Sequence, residues 1–228
     1  MRIGGASVMG SYHEKNQDNI LAEETAGGWL IAVSDGVGSC AYSEIGSTAA
    51  CRTVGAVIKR FDGIPADVDL FFREIHAGWI SNVSSHGHTV CECYATLLFC
   101  FCRGNRLFAA RLGDGIIGIK ADGQDFLMFD TKKDHYNNET DCLFEVYDPS
   151  AWEVLDLECS RVEGVVATTD GLSLAQHERN AYMEFVSDII AEYRKSTAEE
   201  IVADLHKWLP EWEGSDDRSV VFMMGELD

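Results

Sequence analysis

Two periodicities divide the chain. Residues 2–11, 19–25 and 29–34 read as strands, the second and third joined by a turn at Gly27-Gly28. The pattern then changes to a helical one. Ile45, Ala49, Val54, Val57, Ile58 and Phe61 share one face, with Ser43 placed as N-cap and Asp62-Gly63-Ile64-Pro65 as the stop. Val68, Phe71, Phe72, Ile75 and Trp79 form the stripe of a second amphipathic helix. Strands return over 89–102, 106–113, 116–120 and 126–129, with turns at Gly104-Asn105 and Asp122-Gly123. Residues 131–141 are polar and read as an exposed loop. Strands follow at 152–158 and 164–169, helices at about 174–194 and 197–209, and a last strand from 218.

This order predicts an α+β fold. Runs of strands with short turns pair antiparallel, and two helix pairs can cover two such sheets. The expected architecture is a four-layer α-β-β-α sandwich of two mostly antiparallel sheets, each covered by helices. Without an internal repeat or a low-complexity linker, residues 1–228 read as one domain.

Composition changes the picture in one respect. The formal net charge is −20. That excludes a nucleic-acid groove or an anionic membrane surface, both of which require basic patches, and favours gathering cations. Eight cysteines contain no C-x-x-C pair, so the spacing does not match zinc. Cys91 with Cys93, and Cys100 with Cys102, sit two apart, as on one face of a strand. They read as small buried residues in a reducing cytosol. The N-terminus has no signal-peptide pattern, and no run approaches the roughly 18 apolar residues of a membrane span. The expected compartment is the cytoplasm.

The candidate chemistry lies in five Asp-Gly pairs. Asp62-Gly63 follows a helix and Asp122-Gly123 joins two short strands, so both read as structural. Asp35-Gly36, Asp114-Gly115 and Asp170-Gly171 each follow an apolar strand. A carboxylate there is costly unless paired or metal-bound. Two further polar clusters, 13–19 (HEKNQDN) and 214–217 (GSDD), flank other strands. If the sheets bring these ends together, the carboxylates raise one another's pKa unless a hard divalent cation neutralises them; oxygen ligands select Mg²⁺ or Mn²⁺. A glycine beside Asp35 lets its carbonyl approach such an ion.

The series NQD, SDGVG, YATL, LGDG, TTDGL and DDRS, in this order, resembles the metal-dependent protein Ser/Thr phosphatases of type 2C, especially their compact bacterial members. The resemblance spans residues 13 to about 222. It implies the same four-layer sandwich, with a site for two Mn²⁺ or Mg²⁺ ions between the sheets and a weaker third position. Asp35 would bridge two ions and Gly36 would offer its carbonyl to the second. Asp170 and Asp216 would bind the first, and Asp114 would share the third position with Asp170. Asp18 would support the water that attacks phosphorus from between the two metals. Asp217 would hold the loop.

Three departures from the family pattern stand out. Gln17 replaces a Glu, and His13 stands where relatives carry the phosphate-gripping Arg, a task that imidazole performs in part. Val37 follows the Asp-Gly where eukaryotic members have His. The segment between Asp170 and Asp216 is short, so the flap of some relatives is reduced.

The implied function is hydrolysis of phosphoserine and phosphothreonine in a protein partner, opposing a Ser/Thr kinase. The alternative is a phosphatase fold that binds a phosphoprotein or kinase without turnover, which Gln17 and His13 favour and the retained Asp35, Asp114, Asp170 and Asp216 oppose. An aspartyl-nucleophile phosphatase requires D-x-D after the first strand, which SDGVG lacks. A self-processing amidohydrolase requires Thr, Ser or Cys at its mature N-terminus, which MRIGG lacks. His86 and His88 read as loop histidines, the charges within 174–194 as a solvated face, and the five tryptophans as packing.

Overall fold

The computed structural model of the chain describes residues 1–61, 63–129, 140–172, 174 and 179–226. Among the described residues, ten strands form two antiparallel five-stranded sheets. The first has the order β1 (Arg2–Val8), β10 (Arg218–Met224), β9 (Val162–Thr168), β6 (Ile116–Ala121), β7 (Gln124–Met128). The second runs β2 (Asn19–Thr25), β3 (Gly28–Ser34), β4 (Leu97–Arg103), β5 (Arg106–Leu112), β8 (Glu153–Glu158). Helices α1 (Ser43–Ile58) and α2 (Val68–Ser85) lie between β3 and β4 in the chain, and α3 (Arg179–Glu192) and α4 (Ala198–Trp208) between β9 and β10.

Three hydrophobic clusters fill the three gaps between four layers. Leu30, Ala32, Phe99, Phe101 and Phe108 pack on Val54, Phe71, Ile75 and Trp79 of α1 and α2. Between the sheets, Trp29, Ile31, Val33, Leu98 and Cys100 meet Ile117, Val165, Ala167 and Val221. On the far side, Ile116, Val166, Val220 and Phe222 meet Val186, Ile189, Ile201 and Leu205 of α3 and α4. Successive residues of β3 therefore alternate between two cores. That is why the strand reads as a continuous apolar run rather than an apolar/polar alternation.

The expected architecture is the one observed, with local differences. Residues 89–102 do not form one strand. Thr89 and Glu92 cap a 3₁₀ turn over Val90–Glu92 with reciprocal hydrogen bonds, and regular pairing starts at Leu97. Cys91 and Cys93 therefore do not share a strand face, whereas Cys100 and Cys102 both point into the gap between sheets. Tyr42, not Ser43, is the N-cap of α1; Ser43 is buried in its first turn. Helix α3 is described from Arg179. Asp62 and residues 130–139, most of the predicted polar loop, lie outside the described residues. Asp122-Gly123 turns β6 into β7 with both residues at positive φ (49° and 73°), as a tight hairpin requires. All eight cysteines are free.

Candidate metal centre

Strand register gathers the candidate residues at one end of the sandwich. Val8 opposes Arg218, and Thr168 opposes both Val220 and Ile116. In the other sheet, Asn19 opposes Ser34, Val33 opposes Leu98, and Leu97 opposes Leu112. Asp18, Asp35, Asp114, Asp170, Asp216 and Asp217 all lie just beyond these paired ends.

The glycine after each aspartate has a packing reason that was not legible in the sequence, where only the approach of the Gly36 carbonyl to an ion was expected. A Cβ on Gly171 would sit 1.8 Å from the Asp217 carbonyl oxygen, one on Gly115 2.3 Å from that of Thr168, and one on Gly36 2.5 Å from that of Ser43. Only glycine permits such approaches, so the Asp-Gly loops press directly on neighbouring strand ends and helix starts. Gly36 also receives the carbonyl of Gln17 as partner for its N–H, at 3.1 Å.

Hydroxyl groups fix the carboxylates. Thr96 Oγ1 accepts from the Asp35 N–H at 2.9 Å, and the Thr96 N–H donates to the Asp35 carbonyl at 2.8 Å. Thr169 Oγ1 donates to Asp18 Oδ2 at 2.8 Å, tying β9 to the start of β2 across the sheets. Thr169 Oγ1 also accepts from the Ser219 N–H. Asn16 Oδ1 accepts from the Asp18 N–H, and its amide donates to Ser7 Oγ. These supporting residues were legible in part: Thr169, Thr96 and Ser219 sit inside TTDGL, YATL and DDRS, but nothing in the sequence separates their role from that of an ordinary strand residue.

Asp217 is buried and spends both oxygens on backbone. Oδ1 accepts from Gly10 N–H at 2.7 Å and Oδ2 from Gln17 N–H at 2.6 Å, which ties the loop after β1 to the start of β10. Asp216 is more open, with its side chain 54% exposed. Its Oδ1 accepts from the Asp217 N–H and lies 3.1 Å from His13 Nε2. The position of a Cβ on Gly38 is 3.5 Å from Gln17 Oε1 and 3.6 Å from His13 Cε1, so both side chains lie over the loop that follows Asp35. Asp114 accepts from Thr140 Oγ1 at 2.8 Å.

The electrostatics show convergence. The Asp35 carboxyl is pushed well above the usual carboxylate range, first by burial and then by the charges of Asp18, Asp170 and Asp216. Asp18 is raised to about 6, mainly by burial, against the lowering effect of hydrogen bonds from Ser219 and Thr169. Asp18 is 7% exposed, and its Oδ1 is buried without a hydrogen-bond partner. A buried carboxylate oxygen with no donor, set among other carboxylates, fits a hard divalent cation: the donors are oxygen, their charge is uncompensated, and a cation satisfies both. Among the described residues, one group of three metal-capable side chains has its donor atoms within 4.8 Å of one another: His13, Asp216 and Asp217. His86 and His88 take no part; His86 bonds the Asn82 carbonyl and His88 packs on Tyr42.

The family model for protein phosphatase 2C matches residues 10–210. The chain belongs to the protein phosphatase 2C family. Solved structures agree in fold. A bacterial serine phosphatase superposes with a TM-score of 0.72 at 13% identity, covering 100% of this chain and 99% of that one. The catalytic domain of the serine threonine protein phosphatase PstP, in complex with two manganese ions, gives 0.70 at 18% identity, over 98% and 97% of the two chains. RsbX in complex with magnesium gives 0.65 at 14%, over 97% and 94%. At these identities the likeness is one of fold. Compared with the curated proteins, the sequence matches none. Membership in the protein phosphatase 2C family makes the chain a metal-dependent serine/threonine phosphatase, a hydrolase, with its carboxylates at the end of the sandwich where two sheets meet.

Proposed function

We propose that the chain hydrolyses phosphoserine and phosphothreonine in a protein substrate at the carboxylate cluster around Asp35, with two Mn²⁺ or Mg²⁺ ions as cofactors. The observation that carries this reading is the buried Asp35 carboxyl, pushed up by burial and by the charges of Asp18, Asp170 and Asp216, within a chain matched to the family over residues 10–210. Manganese in PstP and magnesium in RsbX support the choice of ion.

Asp35, the Gly36 carbonyl, Asp170 and Asp216 would hold the two cations, with Asp35 central to the cluster. Asp114, with Asp170, marks a third and weaker position. When bound, the cations neutralise phosphoryl charge and lower the pKa of water. Asp18 orients the attacking water through a carboxylate fixed by Thr169, and Gln17 accepts or donates a hydrogen bond beside it without adding charge. Asp217 holds the loop through its bonds to Gly10 and Gln17. Residues 1–228 act as one catalytic domain. The partner is a phosphoprotein, and a Ser/Thr kinase supplies it. Eight free thiols suit the reducing cytoplasm, and reversal of protein phosphorylation would be a signalling role. Among the described residues no helix is long and apolar enough to cross a membrane.

The test is hydrolysis of p-nitrophenyl phosphate and a phosphothreonine peptide with Mn²⁺, Mg²⁺ or EDTA, beside Asp35→Asn. Turnover that requires Mn²⁺ or Mg²⁺ and falls at least about 100-fold in Asp35→Asn is expected. A folded protein with no turnover under any metal would sink the proposal and leave a phosphoprotein-binding module.

A further inference from the structure

The surroundings of His13 fit a role other than the phosphate grip that the resemblance implies. His13 Nε2 and carboxylate oxygens of Asp216 and Asp217 lie within 4.8 Å of one another. Both Asp217 oxygens are taken by the N–H groups of Gly10 and Gln17, so the donors left to meet a cation are His13 Nε2 and Asp216. Their separation is 3.1 Å. Adjacent ligands of an octahedral ion with bonds of about 2.1–2.2 Å lie roughly 3.0–3.1 Å apart. A plain hydrogen bond has the same length, so distance alone does not decide. Two further observations do. The imidazole is held in place: its side chain is only 14% exposed, Tyr12 stands edge-on at 5.1 Å, and Gly38 lies beneath its Cε1. A ring so fixed is preorganised to present Nε2 on the side of Asp216. Independently, Asp18 Oδ1 is buried without a hydrogen-bond donor at the same end of the sandwich as Asp216, which points to a cation there.

We infer that His13 is a nitrogen ligand, through neutral Nε2, of the cation held by Asp216, and not a phosphate grip. The inference rests on the two-cation reading above. Ligation requires the neutral ring with its proton on Nδ1, so that the Nε2 lone pair faces the ion and the contact with Asp216 becomes one between neighbouring ligands. A mixed nitrogen and oxygen set favours Mn²⁺, Fe²⁺ or Co²⁺ over Mg²⁺, because imidazole suits transition metals while all-oxygen sets suit Mg²⁺. His13 thus becomes the residue that sets metal preference at this site.

The experiment is pulsed EPR on tag-free, Mn²⁺-loaded protein, with calorimetric titration of Mn²⁺ and Mg²⁺. Imidazole ¹⁴N modulation is expected in the wild type and is absent in His13→Ala and His13→Gln, both of which still bind Mn²⁺. Mn²⁺ affinity drops by roughly tenfold or more on losing the ring, and Mg²⁺ affinity by a smaller factor. Bound Mn²⁺ without ¹⁴N modulation in the wild type, or modulation that persists in both variants, overturns ligation by His13 and leaves the phosphatase reading intact. A folded wild type that binds no Mn²⁺ overturns ligation by His13, and one that binds neither Mn²⁺ nor Mg²⁺ overturns both. Bound Mn²⁺ with nitrogen modulation but no hydrolysis supports the ligand and sinks the activity.

Discussion

At the scale of single residues the site is built from groups that are unstable together without a cation. Asp18 shows the consequence most clearly. Its folded pKa of about 6 lies above the usual carboxylate value, so the folded, metal-free protein binds a proton that the unfolded chain does not. The associated stability is present in acid and is lost as pH rises through about 6. Asp18→Asn removes the charge while keeping an oxygen acceptor for Thr169. In EDTA at pH 7 it is expected to stabilise the protein, by up to about 3 kcal/mol, with the gain vanishing near pH 4. With Mn²⁺ the same variant is expected to lose 10–100-fold in turnover. Chemical denaturation at the two pH values checks the first claim and phosphopeptide hydrolysis the second. A variant that is less stable than wild type at pH 7 would show that hydrogen bonding outweighs desolvation at Asp18.

Between elements, the decisive contacts are backbone against backbone. Gly171 lies under the Asp217 carbonyl, so Gly171→Ala must push apart the Asp170 turn and the start of β10. It is expected to cost about 1–3 kcal/mol and to weaken metal binding. Gly123→Ala is the contrast. Its Cβ would meet nothing within 4 Å, and only the positive φ of 73° opposes it, so the cost is about 1 kcal/mol with metal binding unchanged. Thermal melts and Mn²⁺ titrations of the two variants test the pair; equal loss of metal binding would refute the packing argument. These contacts also explain what was legible in the sequence. Apolar runs, helical stripes and turn residues gave both sheets and all four helices, because each depends on local chain chemistry and two-sided burial. The 3₁₀ turn at Val90–Glu92 was hidden inside a β-rich stretch, since a capping pair outweighed strand propensity there. The aspartates stood out because a carboxylate after a buried strand is anomalous. Thr96 and Thr169 did not, because a threonine in a strand is ordinary until its partner across the sheets is known.

Over the whole molecule, a net charge of −20 and a carboxylate cluster at one end act on cations in the same direction. The field of the body raises the local cation concentration, and the site adds short-range ligands. Any ion that binds only the folded state stabilises it by mass action, about 2.7 kcal/mol at a hundredfold excess over Kd. For a domain of this size that is on the order of 5–10 °C in Tm. The metal-free protein becomes less stable as pH rises, because Asp18 and Asp35 must ionise without a counter-charge. The metal-loaded protein holds the same carboxylates ionised and escapes that loss, since cations and protons compete for the oxygens. The gap in Tm between Mn²⁺ and EDTA is therefore expected to be small at pH 5 and to widen steadily to pH 8. Raising the salt narrows it, because the long-range part of the attraction is screened over about 10 Å at 0.1 M. Melts at four pH values and two ionic strengths measure this surface. A gap that stays flat with pH would mean that the raised carboxyls and the metal site are not the same groups, and the placement of the cations around Asp35 would then be wrong.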